Sequence, residues 1–260
     1  LPSSAEQDAR TRESAKQNVV TEEDIRAEVN FGREVAAAIA GKYKIYQNEK
    51  STRHADLVAK SLARFANRPE LNFTVVILDA DPVMAVSAPG GYIFVSRGAM
   101  AAMDDEAELA GVLAHEIIHV SRRHIVNELS IRGMDTSPAA GLSHLIGGAS
   151  DAVKLAIQKA MGEAMKIMFE TGFKRSDEIE ADVMGTVLLS SAGYDRQALD
   201  RYLEKLKSAE GAETANIEKI HAPFDERRKL IGEAILTNGL PEGGFRGEER
   251  FHQFMSGLIK

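Results

Sequence analysis

Apolar positions along the chain change period twice, and the changes divide it. From Thr21 they recur at helical spacing, with Val29, Ala36 and Ile39 on one side. Thr21 is placed to cap that helix, and Glu22 to Asp24 suit its positive end. A second helix is predicted over about 51–66, with Leu57, Val58, Leu62 and Phe65 on its buried face. The period then shortens. Phe73 to Leu78 (FTVVIL) is rich in β-branched residues between Asn72 and Asp79, and reads as a strand. Pro89-Gly90-Gly91 reads as a turn, and Tyr92 to Val95 (YIFV) as a second strand. From Asp104 the pattern is helical again, with helices near 105–130, 150–171, 175–191, 195–208 and 223–236. Gly193 falls where a glycine would end the third of these, and Asp195 where it would cap the fourth.

These elements predict a mostly helical α+β fold, with one small sheet beside a central helix and residues 21–260 forming a single domain. Residues 1–20 are polar and irregular, and read as a flexible lead-in. Residues 133–150 are rich in Gly, Ala and Ser and are expected to be mobile. Val153, Ile157, Met161, Met165 and Met168 form a stripe read as core packing, the alternative being a face for a partner or a membrane surface.

Composition narrows the chemistry. The formal charge of −7 gives no basic excess for nucleic acid. Cysteine is absent, so any metal must be held by His and carboxylates. No run of ~18 uncharged apolar residues is long enough to span a bilayer. The first residue is Leu1 and not Met, consistent with removal of an upstream segment such as a signal peptide.

His115-Glu116-Ile117-Ile118-His119 is an HExxH motif. Residues four apart share a helix face, so both imidazoles can reach one zinc ion. Glu116, one residue round, stands beside the ion's open position as a general base for water. Leu109, Val112, Leu113, Ile117 and Val120 provide an apolar face that would bury this helix. A catalytic zinc needs a third protein ligand. The position six beyond His119 is Ile125, and His124 is read as turned well away from His119, so a third histidine there is excluded. Glu178 and Asp182 lie four apart on a second predicted helix, so Glu178 can ligate while Asp182 hydrogen-bonds a ligand histidine from behind. Ala181 and Gly185 would let the two helices approach closely. Glu180 is the competing carboxylate, ~200° away on the helix. A solvated acidic face remains the alternative for the whole stretch.

Together these residues resemble the zinc metallopeptidase family of the CAAX prenyl proteases, HtpX, the Oma-type proteases and BepA. The resemblance rests on Pro89 to Gly98, on Glu106 to Glu116 with His119 and His124, on Glu178-Ile179-Glu180-Ala181-Asp182, on Ala192 to Asp195, and on His221-Ala222-Pro223 with Arg227. It covers about residues 72–235. Met84 and Ala222 depart from the family pattern. The resemblance implies a zincin-like metalloprotease domain of the glutamate-liganded (gluzincin) type, one zinc ion per chain, and hydrolysis of peptide or protein substrates. Lack of a membrane span puts the chain nearer the soluble BepA-like branch. That implies export to a bacterial periplasm or envelope, contact with envelope proteins or a membrane surface, and a role in protein quality control.

The remaining candidates stay open at the level of sequence. His221 reads as a loop residue, or, by the resemblance, as a regulatory histidine that fills the fourth zinc position. Arg227 is either an oxyanion stabiliser or the partner of a carboxylate. The strand with Gly91, Tyr92, Ile93 and Phe94 is a candidate sheet edge for pairing an extended peptide. Tyr194 reads as a packing residue, and His144 has no assigned role. A latent zincin acting as a chaperone or assembly factor, and a metal-free helical domain, are the competing functions.

Overall fold

The computed structural model describes residues 20–131, 151–209 and 211–258. The expected lead-in, the Gly/Ala/Ser segment with His144, and the side chain of Val153 lie outside the described residues.

The first helix, α1 (Glu22–Lys42), starts at a capping box. Thr21 accepts from the Asp24 N–H, and the Asp24 carboxylate accepts from the Thr21 N–H. α2 (Glu49–Ala63) is capped by Asn48. It buries Val58 and Leu62 as expected, but Leu57 and Phe65 are exposed, and His54, Ala55 and Ala59 face inward instead. The buried face is rotated because His54 is drawn in, its Nε2 3.0 Å from the fully buried Glu106.

The sheet has three strands in the order β1-β3-β2. β1 (Thr74–Leu78) runs parallel to β3 (Tyr92–Ser96), with Val75 opposite Ile93. β2 (Ala85–Ala88) runs antiparallel to β3, with Val86 opposite Phe94. The sequence reading missed β2, which has only four small residues. It also treated Tyr92–Val95 as a sheet edge. That is corrected: β3 is central, with its backbone groups paired on both sides.

The sheet separates two cores. Val75, Ile77, Ile93 and Val95 face one, and Val86, Ala88 and Phe94 the other, where α1 packs with Phe31, Val35 and Ile39. This is the period of two expressed as burial on both faces. A short α3 (Arg97–Ala101) leads from β3 toward α4 (Glu106–Ser121), whose side chains from Glu106 to Val120 are all buried. α4 does not run on to 130. It stops at Ser121, Arg123 adopts a left-handed φ of 60°, and α5 (His124–Glu128) follows in a new direction.

α6 (Asp151–Lys166) continues into a π-helical turn, Ile167–Thr171. Ile157 and Met168 are buried in the second core, and Met161 and Met165 pack against it, so the stripe is core packing. α7 (Arg175–Ser191) ends in a Schellman motif. Gly193 (φ 85°) donates to Ser190 O, and Tyr194 N–H to Leu189 O. α8 (Ala198–Ser208) begins later than expected; Asp195 does not cap it, but accepts from the Gln197 N–H in the turn before. α9 (Ala212–Ile220), α10 (Phe224–Thr237) and α11 (Glu248–Met255) complete the chain. Tyr194 is buried, and its hydroxyl donates to Glu106, which Arg250 of α11 also holds.

α1 crosses the Pro89-Gly90 turn at Gly32, where a Cβ would stand 1.7 Å from the Pro89 carbonyl oxygen. Gly41, on the same helix, has no described heavy atom within 4 Å of its would-be Cβ. Gly32→Ala is therefore expected to lower stability by about 3 kcal/mol through a backbone clash. Gly41→Ala is expected to raise it by about 0.5 kcal/mol through helix propensity. Thermal or denaturant unfolding of both variants reads the two signs; equal effects would contradict the crossing.

Candidate metal centre

The centre forms where α4 and α7 cross. Ala181 is fully buried, and a Cβ on Gly185 would sit 3.2 Å from the His115 backbone nitrogen. The small residues thus bring the two helices into backbone contact, as their sequence positions suggested.

His115 and His119 project from one face of α4 with their Nε2 atoms 3.0 Å apart. Glu178 of α7 reaches the same point: Oε2 lies 3.6 Å from His115 Nε2, and Oε1 3.5 Å from His119 Nε2. All three side chains are buried. His221, at the end of α9, adds Nδ1 2.9 Å from Glu178 Oε2. Ligand atoms of His115, Glu178 and His221 lie within 4.8 Å of one another. The donor set fits a divalent cation. Two Nε2 atoms face each other across 3.0 Å, and the buried Glu178 Oε1 has no hydrogen-bond partner among the described residues. Buried polar atoms are seldom left so without a ligand.

Outside this point the donors are fixed. Asp182 Oδ1 accepts from His115 Nδ1 at 2.9 Å, leaving Nε2 to offer its lone pair. Arg227 of α10 closes on Asp182 with two bonds of 2.8 Å, from Nε and from Nη2. This is the carboxylate-pairing arm of the two roles open for Arg227. Burial pushes the Asp182 carboxyl up, but the Arg227 charge and hydrogen bonds outweigh it and hold it well below the usual carboxylate range. Burial alone would lower His115, but the Asp182 hydrogen bond and charge win and raise it. His119 is lowered well below the ordinary imidazole value, by burial first and then by neighbouring His115. Burial pushes Glu178 up, yet the His221, His119 and His115 rings bring it well below a free carboxylate.

One sequence reading changes here, and one gains a partner. His124 is not turned away from His119: their Nδ1 atoms are 2.9 Å apart, because the bend at Arg123 replaces the helical extrapolation. Glu180, the competing ligand, points to His124 Nε2 at 3.2 Å and to Arg122 Nε at 3.0 Å. Phe173 lies against the His119 ring at 4.0 Å between centroids and was not singled out from the sequence.

A cleft of about 240 Å³ opens beside His115 and Glu116. Val112, Leu199, Leu203 and Leu206 line one flank, and Met84, Ala85 and Val86 the other. Gly91, Tyr92, Ile93 and Phe94 do not reach it. The strand beside the cleft is β2, the outer strand of the sheet on that side.

The profile of peptidase family M48 matches residues 49–238. The chain is 28% identical over 187 residues to the putative beta-barrel assembly-enhancing protease of Vibrio cholerae serotype O1, covering 70% of this chain and 38% of that protein. It is 27% identical over 226 residues to the beta-barrel assembly-enhancing protease of Escherichia coli K12, covering 84% and 42%. To the metalloprotease YcaL of Escherichia coli K12 it is 26% identical over 211 residues, covering 81% and 77%. The chain thus spans about two fifths of the length of the first two relatives.

The Asp182–Arg227 pair generates a prediction that needs no metal. Both side chains are buried, and removing one charge strands the other. Asp182→Ala is expected to cost about 3 kcal/mol in the metal-free protein, measured by denaturant unfolding. A carboxyl with a depressed folded-state pKa gives stability that is fully present above the unfolded value of about 3.9 and lost as pH falls below it. Because Asp182 also raises His115, the deficit of the variant should grow as pH falls from 7 to about 5 and shrink only in stronger acid, as the carboxylate is protonated. A deficit that disappears at neutral pH would contradict the pairing.

Proposed function

The chain belongs to peptidase family M48 as a metalloprotease, and on that premise we propose that it is a zinc-dependent endopeptidase with His115, His119 and Glu178 as the metal ligands and Glu116 as the general base. The convergence of two Nε2 atoms and one carboxylate on a single buried point, at the mouth of an apolar cleft, carries this reading. A zinc ion held by these three residues would supply Lewis acidity toward the scissile carbonyl and a bound water. Glu116, on the cleft wall beside His115, takes the proton from the attacking water and returns it to the leaving amine. Asp182 keeps His115 in the tautomer that presents Nε2, and Arg227 holds Asp182 in place.

Substrate recognition in this reading follows from the cleft. The start of the outer strand β2, half-buried at Met84 and Ala85 beside the cleft, is suited to pair with an extended peptide through main-chain hydrogen bonds, and Val112, Leu199 and Leu203 to receive an apolar side chain. Both demands are met by unfolded segments, in which apolar residues are exposed and the backbone is free. Two relatives are named for enhancing β-barrel assembly, which supports action on unfolded or misassembled proteins in a bacterial envelope. No helix among the described residues is long and apolar enough to cross a membrane.

A second reading, a latent zincin that serves as an assembly factor, draws on His221. Its imidazole binds the Glu178 carboxylate and stands with the ligand atoms. In this reading the imidazole takes the fourth metal position in place of water.

Wild-type protein is expected to carry about one zinc per chain, and Glu178→Ala to lose most of it on dialysis. Glu116→Gln should keep the metal and hydrolyse an unfolded protein such as casein at least ~100-fold more slowly. Full zinc in the first variant would move the third ligand elsewhere, and wild-type turnover in the second would remove Glu116 as the base. His221→Ala should retain zinc and cleave faster than wild type at equal zinc content. An unchanged or lower initial rate would exclude a latching role.

A further inference from the structure

A histidine that gives Nε2 to a metal carries its proton on Nδ1, and a buried N–H needs an acceptor. For His115 that acceptor is Asp182. His119 is equally buried, with no carboxylate behind it; its Nδ1 faces His124 Nδ1 at 2.9 Å. Two such atoms share one proton. Because His119 Nε2 faces His115 Nε2 and Glu178, the proton of His119 belongs on Nδ1, and His124 accepts it. The proton of His124 then lies on Nε2, 3.2 Å from Glu180 Oε2. Glu180 is anchored in turn by Arg122, whose Nε lies 3.0 Å from Oε1.

The backbone is built for this contact. On an uninterrupted helix His124 would sit ~140° round from His119. Arg123, left-handed at φ 60°, breaks the helix and swings His124 back. Its Nε pairs with the buried Glu28 of α1 at 2.9 Å, which pins the bend. Phe173 flanks both rings, 4.0 Å from His119 and 6.1 Å from His124.

We propose that His124, held by Glu180, is the positioning residue for His119, fixing its tautomer and ring orientation as Asp182 does for His115. The inference rests on the zinc reading above. It gives each acidic residue of Glu178-Ile179-Glu180-Ala181-Asp182 a separate use: Glu178 toward the metal, Asp182 behind His115, and Glu180 behind the partner of His119. The two supports are unequal. His124 is buried, whereas Glu180 is 40% exposed, so water can stand in for part of its hydrogen bond.

Zinc affinity of the metal-free protein, measured by competition with a chromogenic chelator, tests the assignment. His124→Leu should bind zinc about tenfold more weakly than wild type. His124→Asn offers an oxygen acceptor to His119 Nδ1–H and should recover to within about threefold. Glu180→Gln should lose less than about threefold. A His124→Leu loss below threefold, or an Asn variant as weak as Leu, would overturn the assignment in favour of simple packing. Nitrogen-15 NMR of the wild-type imidazoles gives a second readout that needs no folded variant. His119 protonated on Nδ1 and His124 on Nε2 are expected; the opposite tautomers overturn the proposal. Failure of wild type itself to bind zinc would instead remove the metal reading on which both stand.

Discussion

The crossing of α4 and α7 is the constraint from which the rest of the structure follows. It depends on Gly185, which lets the α7 backbone lie against His115, and one turn earlier on α4 Gly111 admits Leu199 of α8 just as closely. With small residues at both contacts, α4 is sheathed along its length and keeps no solvent face. Each polar group on it then needs a protein partner, since an unpaired one would bear its full desolvation cost. Near the helix start, Glu106 is met by His54, Tyr194 and Arg250, and Glu108 by Lys205. The Asp105 cap is met by Arg201 and Arg246. Near its end, His115 is met by Asp182 and His119 by His124. One packing decision thus recruits α2, α5, α7, α8 and α11 to the same helix, and the docking of α11 through Arg250 becomes part of burying Glu106.

The surroundings of the cleft are built in different ways. α4, α7 and α10 are joined behind it through His115, Asp182 and Arg227. The π-helical turn after α6 and the end of α9 contribute a further part of the lining. They touch where Gly172 (φ 76°) passes the end of α9, so closely that a Cβ there would fall 1.8 Å from Ile220 O. Ile220 precedes His221. The position of the histidine over Glu178 is therefore coupled to a backbone contact with the π turn, which also carries Met168 and Phe169 into the cleft wall.

Much of the centre was legible in the sequence because its information is local. His115 and His119 are four apart, as are Glu178 and Asp182, and a single helical period places each pair. The Gly193 stop and the Thr21 cap are local in the same sense. What escaped depends on partners distant in the chain. Leu57 and Phe65 fit a helical inward face of α2, but the buried contact between His54 and Glu106 sets the rotation. β3 read as an edge because pairing with Ala85–Ala88 leaves no mark in the period of either strand. His124 was misplaced by extending a helix through Arg123, whose left-handed turn is held by Glu28, about a hundred residues earlier. Glu180 was weighed only as a rival to Glu178, since its use becomes visible only once His124 is found beside His119.

Charge bookkeeping at the centre explains why a carboxylate-rich helix tolerates such burial. Of the acidic side chains gathered there, Asp182 is cancelled by Arg227 and Glu180 by Arg122. Glu178 and Glu116 have no lysine or arginine ion pair among the described residues, and both are buried. The histidines cannot supply the missing positive charge evenly. His119 is pushed toward its neutral form by burial and by His115, and two protonated rings 3.0 Å apart would repel. The arrangement therefore gathers the Glu178 carboxylate and the facing Nε2 atoms of His115 and His119 in a buried volume. That donor set matches a divalent cation with borderline-soft character, and with no cysteine in the chain, nitrogen and oxygen are the donors available to it. The same balance sets Glu116 apart from Glu178. Glu178 lies among the nitrogens, whereas Glu116 faces the cleft, so the two buried carboxylates stand in different surroundings although both belong to the same pair of packed helices.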